Sequence, residues 1–329
     1  MKWKNRKVLV TGAGGFIASH LVERLAGEGA RLRAFVRYTS RNDLGLLRFL
    51  PPGLLSGIEI VSGDLRDANA VRSAVEDMEL VFHLGALIAI PYSYIHPREV
   101  IETNVLGTLN VLMAARELGT PRVIHTSTSE VYGTARYVPI DEVHPLQGQS
   151  PYSASKIGAD KVAESFYRSY DLPVVTVRPF NTYGPRQSAR AVIPTIISQA
   201  LTRDEVRLGS LTPARDFTFV SDTVQGFMTC AAADGVLGQE INLGTNNTIT
   251  VGEIAGKIFT LLGKTPRIVS DEQRLRPEKS EVLRLQAANM KAAELAGWSP
   301  QVSIEEGLQR TIEWISAHLD LYRPDRYEV

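Results

Sequence analysis

The chain has 329 residues, 44% hydrophobic and 22% charged, with 36 basic side chains balanced by 36 acidic ones. That length gives a prior of roughly two domains and ample core. Zero net charge offers no ground for a nucleic-acid or anionic-membrane partner, and no stretch approaches the roughly 18 apolar residues of a membrane span.

Residues 1–7 are basic and run directly into a strand expected at 7–11, with no apolar signal-peptide core. A glycine-rich turn, Thr-Gly-Ala-Gly-Gly-Phe-Ile-Ala, follows at 11–18 and opens a helix over 16–27. Gly12 permits the tight turn, and Gly15 lets the backbone approach a pyrophosphate at the helix N-terminus. Phe16 and Ile17 start that helix, and Ala18 is small enough for close helix–strand packing. A loop between strand and helix is the context a dinucleotide site requires. The next strand, 31–36, ends in Arg37, with Arg41 close behind, where NAD-binding chains usually offer Asp or Glu to the ribose. An arginine there suits a 2′-phosphate, so NADP is favoured over NAD. Asp64 and Leu65, after a third strand at 58–62, are placed to hold the adenine end.

A short apolar run at 80–84 suits a buried parallel strand, and Leu84 and Ala86 follow it into the same crevice. Residues 103–118 read as a helix stopped by Gly119 and Pro121. Strands at 123–127 and 174–178 flank a helix over 152–170. At its start Tyr152 and Lys156 lie four residues apart, hence on one face. A free tyrosine, with a pKa of about 10, is a poor base at neutral pH. A lysine ammonium alongside should favour the phenolate. Just upstream, Thr128, Ser129 and Glu130 place two hydroxyls and a carboxylate at the same mouth. The repeated alternation of strand and helix predicts an α/β fold, a Rossmann-like doubly wound parallel sheet. Residues 1–178 form its dinucleotide-binding domain, and segments within 217–245 return to it.

Beyond 179 the pattern loosens into a smaller substrate-binding lobe over 179–329, with helices near 193–202, 251–262 and 304–319. The single cysteine, Cys230, sits in an apolar stretch, excludes an internal disulfide and suits a cytoplasmic setting. Six scattered histidines give no metal-ligand spacing. Asn181, Arg215 and Arg276 are candidate ligands of a diphosphate and ribose, with Arg186 and Arg274 in second rank, because arginine forks onto phosphate oxygens. Tyr92, in an aromatic loop at 91–94, is a candidate for the sugar pocket.

Together these motifs, with His83-Leu84-Gly85-Ala86, Asn104, Arg178–Arg186 and Arg215-Asp216-Phe217, resemble the extended short-chain dehydrogenase/reductase family in its nucleotide-sugar epimerase/dehydratase branch. The resemblance covers essentially the whole chain. It implies that Thr128 bonds the sugar 4-hydroxyl, that Tyr152 and Lys156 run the proton chemistry, and that the nicotinamide cofactor is tightly bound and recycled. Glu130 matches the base that 4,6-dehydratases use to abstract the C5 proton, while Ser129 replaces the aspartate of dTDP-glucose 4,6-dehydratases. The Thr-Ser-Glu triplet is similar to GDP-mannose 4,6-dehydratases and UDP-glucuronate decarboxylases. The loops at 88–94, 147–149 and 274–281 look most like bacterial dehydratases of legionaminic-acid-type pathways, which act on GDP-linked N-acetylglucosamine.

The expected activity is therefore dehydration of a nucleotide-diphosphate N-acetylglucosamine, GDP- or UDP-linked, to the 4-keto-6-deoxy sugar. A 4-epimerase or a UDP-glucuronate decarboxylase is the alternative on the same scaffold. A non-catalytic dinucleotide sensor is a third reading, opposed by the intact Tyr152–Lys156 pair. The resemblance also implies a homodimer through the helices at 103–118 and 152–170.

Overall fold

The computed structural model describes residues 3–275 and 277–322. Its centre is a seven-stranded, wholly parallel sheet in the order β11-β6-β5-β4-β1-β2-β3. The strands are β1 (Lys7–Thr11), β2 (Arg31–Arg37), β3 (Glu59–Gly63), β4 (Leu80–His83), β5 (Val123–Thr126), β6 (Val174–Pro179) and β11 (Glu240–Leu243). Every residue of β4 and β6 is buried, as expected of strands covered on both faces. The chain leaves β1 toward β2 and β3, then returns to place β4 on the other side of β1. That reversal opens a crevice beyond the C-terminal strand ends.

Helices α1 (Phe16–Gly27), α2 (Pro52–Leu55), α3 (Ala68–Val75), α4 (Ile90–Ile95), α5 (Pro97–Ile101), α6 (Gly107–Glu117) and α7 (Pro151–Tyr170) belong to the first half of the chain. Of the stripe Ile17, Leu21, Val22 and Leu25 that the spacing of α1 predicts, the last three are buried and Ile17 is half-buried, with Ala18 buried beside it. The start of α7 is over-determined. Ser150 and Ser153 form a reciprocal capping box, and Pro151 occupies the first turn. The helix expected over 103–118 is a π-helical turn at Glu102–Leu106 running into α6, with α5 directly before the turn. Asn104 explains the widened turn: its amide is drawn into the core, donating to Leu87 O and Ser155 Oγ and accepting from Leu87 N.

The second half carries α8 (Val192–Thr202), α9 (Val220–Ala232), α10 (Val251–Leu262), α11 (Met290–Ala296) and α12 (Ile304–Ala317). Its short strands are β7 (Asn181–Tyr183), β8 (Glu205–Leu208), β9 (Ala214–Arg215), β10 (Phe217–Phe219), β12 (Ile249–Thr250), β13 (Arg267–Ser270) and β14 (Arg284–Leu285). They form small sheets, β10-β7, β12-β9-β14 and β13-β8. Of the stretches expected to rejoin the main sheet, β11 does so by strand pairing. The stretch at 217–233 does not: β10 pairs with β7, and α9 packs on β5 and β6. Among the described residues, no helix is long and apolar enough to cross a membrane.

Asp216 locks this half together. Its buried carboxylate accepts from the amides of Thr245, Asn246 and Ala287 and from the Thr245 hydroxyl, at 2.7–3.1 Å. Asp216→Ala strands three amides and should lower stability by about 3 kcal/mol in urea denaturation. A loss under about 1 kcal/mol would show that the joint relaxes around the gap.

Candidate active site

The glycine turn at the end of β1 is shaped by contact with the backbone after β4. Gly12 has φ +65°, and a Cβ built on it would lie 2.6 Å from Gly85 Cα. Helix α1 then begins at Gly15 with no side-chain cap, so its first amides suit an anion. Nearby lies a cavity of about 120 Å³ lined by Gly12, Phe35, Arg37, Gly63, Asp64, Leu65, Arg66, Gly85, Ala86, Leu87 and Thr103. The structure thus brings Gly12, Arg37, Asp64, Leu65 and Ala86 to one place. Phe16, Ile17 and Leu84 are half-buried against the main core beside it, and Arg41 is exposed on the loop after β2. A narrow glycine cradle, an uncapped helix start and an arginine at the end of β2 fit a dinucleotide.

Asp64 is already engaged. Arg66 forks onto its carboxylate at 2.6 and 3.0 Å and holds it below the usual carboxylate range. Tyr92, expected at the sugar pocket, gives its hydroxyl to Glu99, which also pairs with Arg37. Glu99 and Arg66 were not legible in this role from sequence.

At the end of β5 the chain enters a 3₁₀ turn, Ser129–Tyr132, capped by the Thr128 hydroxyl. Ser129 is buried within the turn, while Glu130 is half-exposed. Burial pushes the Tyr152 phenol well above its ordinary value. The Thr128 hydroxyl draws it part of the way back, and the charges of Glu130 and Asp160 raise it further. Thr128, Glu130 and Tyr152 are therefore near neighbours. Lys156 Nζ donates to Thr126 O at 2.6 Å. Burial lowers the Lys156 ammonium to about 8, against the opposing charge of Asp160.

Behind these residues lies a buried polar network. The Asp160 carboxylate accepts from His125 Nε2 at 3.1 Å, Ser127 Oγ at 2.7 Å and Arg178 Nε and Nη2 at 3.2 and 3.1 Å. Burial raises the carboxyl, but the His125 hydrogen bond and the Arg178 charge more than offset it, leaving it below the ordinary value. Arg178 also donates to Tyr132 Oη, which donates to Asn242 Oδ1. Beside it, His83 bridges the hydroxyls of Thr11 and Thr108 at 2.8 and 3.0 Å, and Thr108 donates to Asn104 O. Asp160 was missed in the sequence, although it lies one helical turn beyond Lys156 on α7, the same spacing that links Tyr152 to Lys156.

In the second half, Asn181 has a buried Oδ1 with no hydrogen-bond partner among the described residues. Arg215 is buried and paired with Glu281 at 3.2 Å, and Arg274 with Asp271 at 3.0 Å. Arg276 lies outside the described residues. Arg186 stands apart: it pairs with Glu23 of α1 at 2.6 Å and lines a different cavity, of about 360 Å³, with His20, Arg24, Ser221, Val224 and Gln225. A hydrogen-bonded link, Tyr94 Oη to Ser280 Oγ and Ser280 Oγ to Gln149 O, joins α4 to the segment before β14 and the approach to α7.

Comparison with known proteins agrees with this arrangement. The GDP-mannose 4,6-dehydratase family pattern matches residues 9–311. The dTDP-D-glucose 4,6-dehydratase of Mus musculus is 32% identical over 94% of this chain and 88% of its own length. A UDP-glucose 4-epimerase of Mycolicibacterium smegmatis is 33% identical over 94% and 98%. Among solved structures, an epimerase of Methanothermobacter thermautotrophicus superposes with a TM-score of 0.89 at 31% identity, covering 97% of this chain and 94% of that one. A double mutant of dTDP-glucose 4,6-dehydratase from Streptomyces venezuelae with NAD bound gives 0.86 at 30%, covering 97% and 100%.

The burial of Lys156 has a measurable sign. Between about 8 and 10.5 the unfolded lysine still holds a proton that the folded one has released, so this group's contribution to stability rises with pH through that window. The stability of the wild type relative to Lys156→Met should therefore grow by on the order of 3 kcal/mol from neutral pH to pH ~10.5 in urea titrations. A flat difference would mean that the ammonium is solvated.

Proposed function

This chain belongs to the GDP-mannose 4,6-dehydratase family and is an enzyme of the nucleotide-sugar dehydratase/epimerase group; from that premise we propose that it is a nucleotide-sugar 4,6-dehydratase. The observation that carries the reading is Glu130, half-exposed in the turn beside Thr128 and close enough to Tyr152 for its charge to act on the phenol. A 4-epimerase has no use for a second base, whereas a dehydratase must also remove the proton at C5.

In this reading Gly12, Gly15, Phe16, Ile17, Arg37, Arg41, Asp64, Leu65, Leu84 and Ala86 hold the dinucleotide, together with Tyr152 and Lys156. The dinucleotide would supply reversible hydride transfer between C4 and C6 of the sugar. Arg37, in place of an acid at the end of β2, makes NADP the favoured form. Thr128 holds the 4-hydroxyl and Tyr152 takes its proton. The resulting C4 ketone acidifies the C5 proton, which passes to Glu130 and leaves on the C6 hydroxyl as water; C5 regains a proton as hydride is returned at C6, balancing the one that Tyr152 took from the 4-hydroxyl. Because Ser129 is buried, we assign both the base and the acid role to Glu130. The sum is loss of one water, with no external reductant.

Arg215 anchors the nucleotide diphosphate by exchanging Glu281 for phosphate, and the buried Oδ1 of Asn181 accepts from a ribose hydroxyl. The substrate class is an N-acetylglucosamine carried on GDP or UDP. Residues 1–178 then serve the dinucleotide and 179–329 mainly the sugar nucleotide. Exposed Leu106, Met113 and Tyr170 support a homodimer through the helices at 103–118 and 152–170. The 4-epimerase reading keeps one support of its own, the 33% identity to the mycobacterial enzyme.

Mass spectrometry of the enzyme incubated separately with GDP- and UDP-linked N-acetylglucosamine, GDP-mannose, dTDP-glucose and UDP-glucuronate tests this directly. The expected result is loss of the mass of one water from an N-acetylglucosamine donor. An isomer of unchanged mass would mean epimerisation, and loss of carbon dioxide would mean decarboxylation. In deuterated water, Glu130→Gln should cut label uptake at C5 by about a thousandfold. Uptake at the wild-type rate would remove Glu130 from the chemistry.

A further inference from the structure

The acidic residue normally expected at the end of β2 is absent, yet the structure supplies a carboxylate to the same spot from another element. Glu99, on α5, places Oε1 3.4 Å from Arg37 Nη2, and its Oε2 accepts from the Tyr92 hydroxyl on α4. The Tyr92 hydrogen bond, with Arg37 and Arg66 nearby, holds Glu99 below the usual carboxylate range, so it is charged at neutral pH. Arg37 lines the cavity beside the glycine turn. Arg66, the other cation there, is held on both oxygens by Asp64.

We propose that Glu99 is a specificity-determining residue that tempers the preference for NADP created by Arg37. This inference rests on the reading of that cavity as the adenosine end of a dinucleotide site. NAD brings no charge to the ribose 2′ position and leaves the Arg37–Glu99 pair intact. NADP brings a phosphate of charge about −1.5 to −2, which must share Arg37 with a carboxylate already seated on it. The like charges repel, and Arg66, committed to Asp64, cannot turn to relieve them. Glu99 therefore weakens binding of one cofactor and leaves the other untouched. It reaches the end of β2 from a helix more than sixty residues further along the chain, so the strand that carries Arg37 gives no sign of it.

The test is equilibrium binding, not turnover. NADP and NAD are titrated calorimetrically into nucleotide-free wild type, Glu99→Gln and Glu102→Gln. Glu102, which pairs with Arg98, removes the same charge nearby without touching Arg37. Glu99→Gln should tighten NADP by about fivefold, the upper end for an exposed ion pair, and leave NAD within about twofold. Glu102→Gln should leave the ratio of the two affinities unchanged. An unmoved ratio in Glu99→Gln, or an equal shift in Glu102→Gln, overturns the role of Glu99 while the dinucleotide site stands. Failure of the wild type to bind either cofactor overturns the site itself, and this inference with it.

Discussion

Asp160 is the constraint on which the site depends. It is a fully buried carboxylate, and a charge in that position is tolerable only because donors surround it. Those donors come from the end of β5, the residue after it, and β6, while Asp160 itself lies on α7. Satisfying one carboxylate therefore fixes a helix against two strands. Lys156 and Tyr152 lie one and two turns earlier on that helix, and the turn bearing Thr128 and Glu130 follows Ser127 directly. Removing any partner leaves a buried charge uncompensated, so the geometry is rigid for an electrostatic reason.

The parts of the molecule legible in the sequence were those set by local rules. The glycine turn, the inward stripe of α1, the apolar runs of β4 and β6 and the four-residue spacing of Tyr152 and Lys156 each follow from chain geometry over a few residues. The parts that escaped depend on pairing between distant residues. Five of the short strands after Tyr183 are only two or four residues long and exist through partners elsewhere, as β13 does through β8 and β9 through β12 and β14. The π turn at Asn104 escaped for the same reason, since its cause is an amide bonding across to Leu87 and Ser155.

Three of the arginines chosen from sequence as anion ligands share a property that sequence did not disclose. Arg37, Arg186 and Arg215 each face a glutamate, namely Glu99, Glu23 and Glu281. The balanced global charge thus has a local counterpart. Binding a phosphate at such a position exchanges one anion for another instead of neutralising a bare cation. The gain is smaller than a naked arginine would give, but the unliganded protein holds no uncompensated positive charge in a half-buried crevice.

The place of β11 in the sheet bears on how the chain comes to be folded during synthesis. Six strands of the parallel sheet are complete once β6 has emerged, yet the outer flank of β6 is capped only by a strand that begins at Glu240. Until then the ribosome holds a nearly finished sheet with one apolar edge unpaired, the state in which parallel sheets most readily associate with one another. The intervening segment, β7 to α9, belongs largely to the other half of the molecule. Closure of that edge therefore draws the two halves together in a single late event.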